Sequence, residues 1–80
     1  MRLDKYLKVS RIIKRRTVAN EACDAERVSV NGRVARASYE VKVGDVIEIR
    51  FGEKSLKVRV AAVKENAGKG EAAAMYQELR

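Results

Sequence analysis

The segment Arg27-Val28-Ser29-Val30-Asn31-Gly32-Arg33-Val34-Ala35 decides the fold class. Val28 and Val30 alternate with Arg27, Ser29 and Asn31, the period of two that a half-buried strand needs, since successive side chains leave its backbone on opposite sides. Asn31-Gly32 supplies two residues that tolerate positive φ, as the tight turn of a hairpin demands. The spacing predicts a strand over Arg27–Asn31 paired with Arg33–Ala35.

Toward the C-terminus, Val43-Gly44-Asp45 reads as a turn into Val46-Ile47-Glu48-Ile49-Arg50-Phe51. There Ile47, Ile49 and Phe51 alternate with Glu48 and Arg50. A turn over Gly52–Ser55 and a strand from Leu56 to Val63 complete an antiparallel sheet. A glycine-containing linker, Ala67-Gly68-Lys69-Gly70, follows. Glu71–Leu79 is rich in helix formers and is expected to make a short terminal helix or tail with Ala74, Met75 and Leu79 inward.

Toward the N-terminus the period changes to three and four. Leu3, Tyr6 and Leu7 share one face of a short helix, with Asp4 in its first turn, where a negative charge favours the unpaired N–H groups. Ile12 and Ile13 anchor a connection beneath Lys14-Arg15-Arg16. Thr17 is expected to cap a second helix over Val18–Ala25, with Val18, Ala19, Ala22 and Cys23 at helical spacing. The fold class expected is therefore α+β, two short N-terminal helices packed on a small antiparallel sheet. Residues 1–64 are read as the principal domain and 65–80 as a C-terminal tail or short helix.

Charge separates the two ends of this architecture. The 80 residues carry a net charge of +7, but most of it lies early. Residues 1–16 hold Arg2, Lys5, Lys8, Arg11, Lys14, Arg15 and Arg16 against the single acid Asp4, whereas residues 17–80 are close to neutral. A local field of this kind attracts a polyanion, because each phosphate neutralised releases condensed counterions. Three cations also crowd the start of the second helix, where the helix dipole disfavours them, an arrangement explained if an anion occupies that place. The alternative is a solvated charged face.

Several functions are disfavoured. So small a domain buries only roughly 60% of its unfolded surface, which leaves little room for a deep catalytic pocket. With no His and one Cys there is no basis for an internal disulfide, a Cys/His metal site or histidine acid–base chemistry. Cys23 reads as a small core residue. No run of apolar residues is long enough to span a bilayer, Met1–Arg16 is too charged for a signal peptide, and the apolar residues of the basic helix are needed for the core. The expectation is a cytoplasmic monomer that is not an enzyme and needs no cofactor or metal. Tyr6, Tyr39, Phe51 and Tyr76 are read as core or structural residues rather than stacking platforms.

Arg2-Leu3-Asp4-Lys5-Tyr6-Leu7, Arg15-Arg16-Thr17-Val18-Ala19, Val28-Ser29-Val30-Asn31-Gly32 and Val43-Gly44-Asp45-Val46, in this order, resemble the RNA-binding domain named after ribosomal small-subunit protein four. The opening run from Met1 to Thr17 and the Ala73–Tyr76 stretch are similar to the RqcP family, bacterial ribosome-associated quality-control factors related to the fifteen-kilodalton heat-shock protein. The resemblance implies the alpha-L arrangement of helices and binding to large ribosomal subunits that carry stalled peptidyl-tRNA. It further implies contacts to rRNA and tRNA, and assistance to a partner, RqcH, that adds alanine tails. Carried over by position, the RNA-facing residues are Arg2, Arg11, Lys14, Arg15 and Arg16, with Arg16 foremost and Thr17 beside it. Lys8 joins this set, although Lys5 and Lys8 also fit simple solvation. Asp4 is expected to cap its helix or orient Arg2. One departure is Glu26, which stands where the family places a glycine at the end of the second helix. Other readings are a heat-shock recycling role without tailing, a domain otherwise found appended to RNA-modifying enzymes, and a basic protein-interaction module.

Overall fold

The computed structural model describes residues 1–79, so Arg80, the end of the expected C-terminal segment, lies outside the described residues. The elements in chain order are α1 (Leu3–Val9), α2 (Arg16–Asp24), β1 (Val28–Val30), β2 (Arg33–Val34), β3 (Val46–Phe51), β4 (Lys54–Val60), α3 (Lys69–Ala73) and β5 (Tyr76–Leu79). The strands form one antiparallel sheet in the order β2-β1-β3-β4-β5.

The hairpin is built as its sequence demands. Asn31 and Gly32 both have positive φ, 53° and 85°. Asn31 does a second job: its side-chain oxygen accepts the Val46 N–H at 3.0 Å and its amide donates to Asp45 at 3.1 Å, tying the hairpin to the turn before β3. Asp45 also accepts from the Tyr39 hydroxyl and the Lys42 N–H, which satisfies a buried carboxylate.

In register, Val28 faces Ile49, Val30 faces Ile47, and Ile47 faces Val58. These residues and Val60 supply the sheet's half of the core; Leu3, Tyr6 and Leu7 of α1, Ala19 and Cys23 of α2, and Met75 supply the other half. Each large side chain removed from water contributes about 1.5–3 kcal/mol, so the placement of α1 and α2 is fixed mainly by this shared core. The N-terminus of α1 is anchored as well. Its Leu3 and Asp4 N–H groups donate to the Tyr39 and Ala37 carbonyls in the β2–β3 connection.

Two expectations about α2 change. The helix begins at Arg16 rather than after Thr17, Arg15 is its N-cap, and no side chain caps it. Thr17 is thus an exposed residue of the first turn. At the other end the backbone keeps the form that suits glycine: Glu26 has φ of 60°, its N–H donates to the Cys23 carbonyl, and the Arg27 N–H reaches back to Ala22. That is the left-handed two-bond helix terminus, made here with a residue whose Cβ is strained in it by about 1 kcal/mol.

The terminal helix expected over Glu71–Leu79 is replaced by the five-residue α3 and the strand β5, which pairs with β4 from Val60↔Tyr76 to Lys57↔Leu79. So short a segment makes a marginal helix, whereas the open edge of β4 offers unpaired backbone groups that a strand satisfies. Met75 is buried at the junction, as the sequence implies, but Ala74 is exposed. The Met75 carbonyl accepts from the Tyr6 hydroxyl at 2.8 Å and from the Ala61 and Ala62 N–H groups, binding the C-terminal segment to α1 and to the chain after β4.

Candidate nucleic-acid interface

The basic residues fall into two groups with different physics. The first is organised by Asp4, whose side chain is only 3% exposed. It accepts from Arg2 Nε at 3.3 Å, from Arg16 Nη2 at 3.5 Å, from Asn20 Nδ2 at 3.3 Å and from the Lys5 N–H at 2.8 Å. Burial alone would raise the carboxyl's pKa; the bonds from Asn20, Arg16 and the Lys5 N–H, with the charge of Arg16, outweigh it and hold the group below its ordinary value. One buried carboxylate thus orients two guanidiniums that remain half-exposed, and the cluster keeps a net positive charge. Arg16, Thr17, Asn20 and Glu21 line a shallow hollow with Asp4, and Arg2 lines another with Asn20 and the Val34–Ser38 segment.

The second group is Lys8, Arg11 and Lys14. They line one groove with Val9, and Asn66, Ala67, Gly68 and Glu71 from the chain after β4 line it too. Among the described residues none of these three cations has an acidic partner, and neither has the exposed Arg15. Glu71 is itself engaged by Lys64 at 3.5 Å. Arg11, directly after the α1 C-cap, has φ of 64°, a left-handed conformation unfavourable for a side chain of its kind. The strain sits where the cation lines the groove. Lys5 belongs to neither group, because its ammonium pairs with Glu65 and lowers that carboxyl's pKa.

Five of the expected cations are therefore gathered in two places, Arg2 and Arg16 at Asp4 and Lys8, Arg11 and Lys14 along the groove, and Arg15 is exposed outside both. Sequence reading missed Asn20, although its position four residues after Arg16 puts it on the same face of α2. It also missed Asn66-Ala67-Gly68, which carries no charge and reads as linker. Cys23 is buried, and burial, then the charges of Asp4 and Asp24, push its thiol up to about 11, so it stays protonated. Among the described residues no group of three or more Cys, Asp or Glu is placed to hold a metal, and no helix is long and apolar enough to cross a membrane.

Residues 1–47 match the S4 domain family. The chain is 58% identical over 77 residues to the RQC P-site tRNA stabilizing factor of Streptococcus pneumoniae, covering 96% of this chain and 88% of that one. It is 54% identical to the protein of the same name from Bacillus subtilis, over 100% and 93% of the two chains. In three dimensions it is similar to the trimeric structure of Vibrio cholerae heat shock protein 15, with a TM-score of 0.91 at 30% identity, over 99% of this chain and 81% of that one.

Proposed function

The chain belongs to the S4 domain family, and because relatives that it matches over 88% and 93% of their length are named RQC P-site tRNA stabilizing factors, we propose that it is a non-catalytic, cytoplasmic RNA-binding factor of ribosome quality control. In this reading it binds large ribosomal subunits that carry stalled peptidyl-tRNA, contacts both tRNA and rRNA, and supports RqcH-dependent alanine tailing as a monomer. The observation that carries it is the pairing of a groove of unneutralised cations, Lys8, Arg11 and Lys14, with two guanidiniums held in place by Asp4.

The two groups suit different parts of the task. Lys8, Arg11, Lys14 and Arg15 supply long-range attraction through counterion release, which is insensitive to sequence. Arg2 and Arg16 are already oriented, so a phosphate meeting their outward N–H groups orders less side chain on binding. Thr17 offers a hydroxyl beside them.

Sucrose-gradient sedimentation with ribosomal particles tests this. The wild-type chain should travel with large subunits, and Arg16→Ala should remain at the top of the gradient. Co-sedimentation of Arg16→Ala at the wild-type level would refute the assigned surface. The heat-shock recycling role differs in outcome rather than in binding: the chain would bind the same subunits without increasing alanine tails in a reconstituted reaction with RqcH.

A further inference from the structure

The hairpin tip of β3 carries an aromatic residue that the core does not absorb. Phe51 is 48% exposed and Val18, on α2, is 46% exposed. Both line a hollow of about 410 Å³, together with Ile12, Ala22, Arg27 and Glu21. Phe51 is thus not the core residue that strand alternation implies.

Its surroundings narrow what the hollow fits. The connection between α1 and α2 walls two features at once: Arg11 and Lys14 line the basic groove, while Ile12 and Ile13 line this hollow. The basic groove and the hollow that holds Phe51 are therefore neighbours across one short segment of chain. Arg27, at the rim, has no acidic partner among the described residues, and Glu21 brings a carboxylate to the same rim. An aromatic face, an apolar floor and one donor and one acceptor at the edge are the parts that hold an unstacked base. A membrane surface is a poorer match, since two half-exposed side chains in a concavity do not make a broad apolar face.

We propose that the hollow between α2 and the tip of β3 receives one unstacked nucleobase of the bound RNA, with its face on Phe51 and its edge toward Arg27 and Glu21. This rests on the RNA-binding reading above and adds a contact that carries no phosphate charge. Backbone contacts to the basic residues fix position, and the base contact selects RNA that presents a splayed nucleotide, such as a loop or bulge, over a continuous duplex.

The test uses the full chain and a hairpin RNA whose adenine loop contains one 2-aminopurine. Binding to the wild-type chain should quench the probe, and Phe51→Leu should lose affinity by about tenfold, the scale of one base–aromatic stack. Phe51→Tyr should bind as the wild type does. The slope of log affinity against log salt should be the same for all three, because no phosphate contact changes. Equal affinity of Phe51→Leu and wild type, the result expected if the hollow takes a protein segment, overturns the proposal and leaves RNA binding intact. A wild-type chain that does not bind the hairpin at all removes the RNA reading and this proposal with it. Since Phe51 is half-exposed, Phe51→Leu is expected to fold, and an unchanged thermal midpoint confirms that an affinity loss is local.

Discussion

Replacing Asp4 with asparagine isolates the charge that organises the first basic group. The substitution keeps the shape and an oxygen able to accept the Lys5 N–H, but leaves Arg2 and Arg16 facing each other without a counter-charge. Each guanidinium is about half-exposed, so each lost ion pair is screened by water and is worth at most about 0.5–1 kcal/mol. The Asn20 bond weakens when its acceptor becomes neutral. The total is a destabilisation of roughly 1–2 kcal/mol at neutral pH, which for a domain of this size lowers the thermal midpoint by about 5–15 °C.

The effect carries a pH signature. The Asp4 carboxyl is held below its ordinary value of 3.8, so the folded state prefers the charged form more than the unfolded chain does. Stability from this source is fully present above that ordinary value and is lost as pH falls through it toward the folded pKa. The amide of the Asp4→Asn variant has nothing to protonate there, while every other carboxylate is common to the two proteins. Thermal melts followed by circular dichroism should therefore show a gap between wild type and Asp4→Asn at pH 7 that begins to narrow below about pH 4 and goes on shrinking as pH falls through the lowered pKa of the folded state. A gap of the same size at pH 3, or no gap at pH 7, would refute the assignment of Asp4 as the charged organiser.

Two further outcomes follow from other parts of the molecule. Glu26→Gly removes the Cβ from a residue at φ of 60° and should stabilise the fold by roughly 0.5–1 kcal/mol after the greater chain entropy of glycine is counted, read as a higher denaturation midpoint in urea; a lower midpoint would show that the left-handed terminus is not strained. RNA binding should weaken with salt at a log–log slope of about −3.5 to −4.5, for some five phosphates neutralised, and Lys14→Ala should make that slope shallower by about 0.7–0.9. A slope that Lys14→Ala leaves unchanged would place the groove outside the interface.

What can be read from the chain, and what cannot, divides by the range of the interaction. The hairpin at Asn31-Gly32, strand β3 and the apolar faces of α1 and α2 are legible because each depends on local periodicity or on the φ of two residues. The end of the chain is not. Ala72-Ala73-Ala74 favours a helix by local propensity, and only the unpaired edge of β4, distant in sequence, makes Tyr76–Leu79 a strand. The start of α2 is misplaced for a related reason: Thr17 is a good cap by type, yet the N-terminal turn is set where Arg16 can reach Asp4, twelve residues earlier. For the candidate site, the sequence identifies which residues are basic but not how they divide. That division depends on Asp4 being buried and on Lys5 turning to Glu65, both consequences of tertiary packing. Phe51 is misassigned because alternation predicts a face but not that the last residue of β3 stays half-exposed beside α2.

The division of the cations has a physical rationale. Seven basic residues placed together without a counter-charge would repel one another in the free protein and leave every side chain to be ordered on binding. A single buried acid relieves part of the repulsion and fixes two guanidiniums, at the expense of one unit of attraction for a polyanion. Lys8, Arg11, Lys14 and Arg15, without acidic partners among the described residues, retain that attraction but little directional preference. In the proposed reading, encounter and orientation thereby fall to different residues of the same short segment. In the proposed reading these cations contact phosphates rather than base edges, so selectivity between RNAs falls to the backbone path that suits both groups, and to whether a base is free to leave its stack and enter the hollow at Phe51.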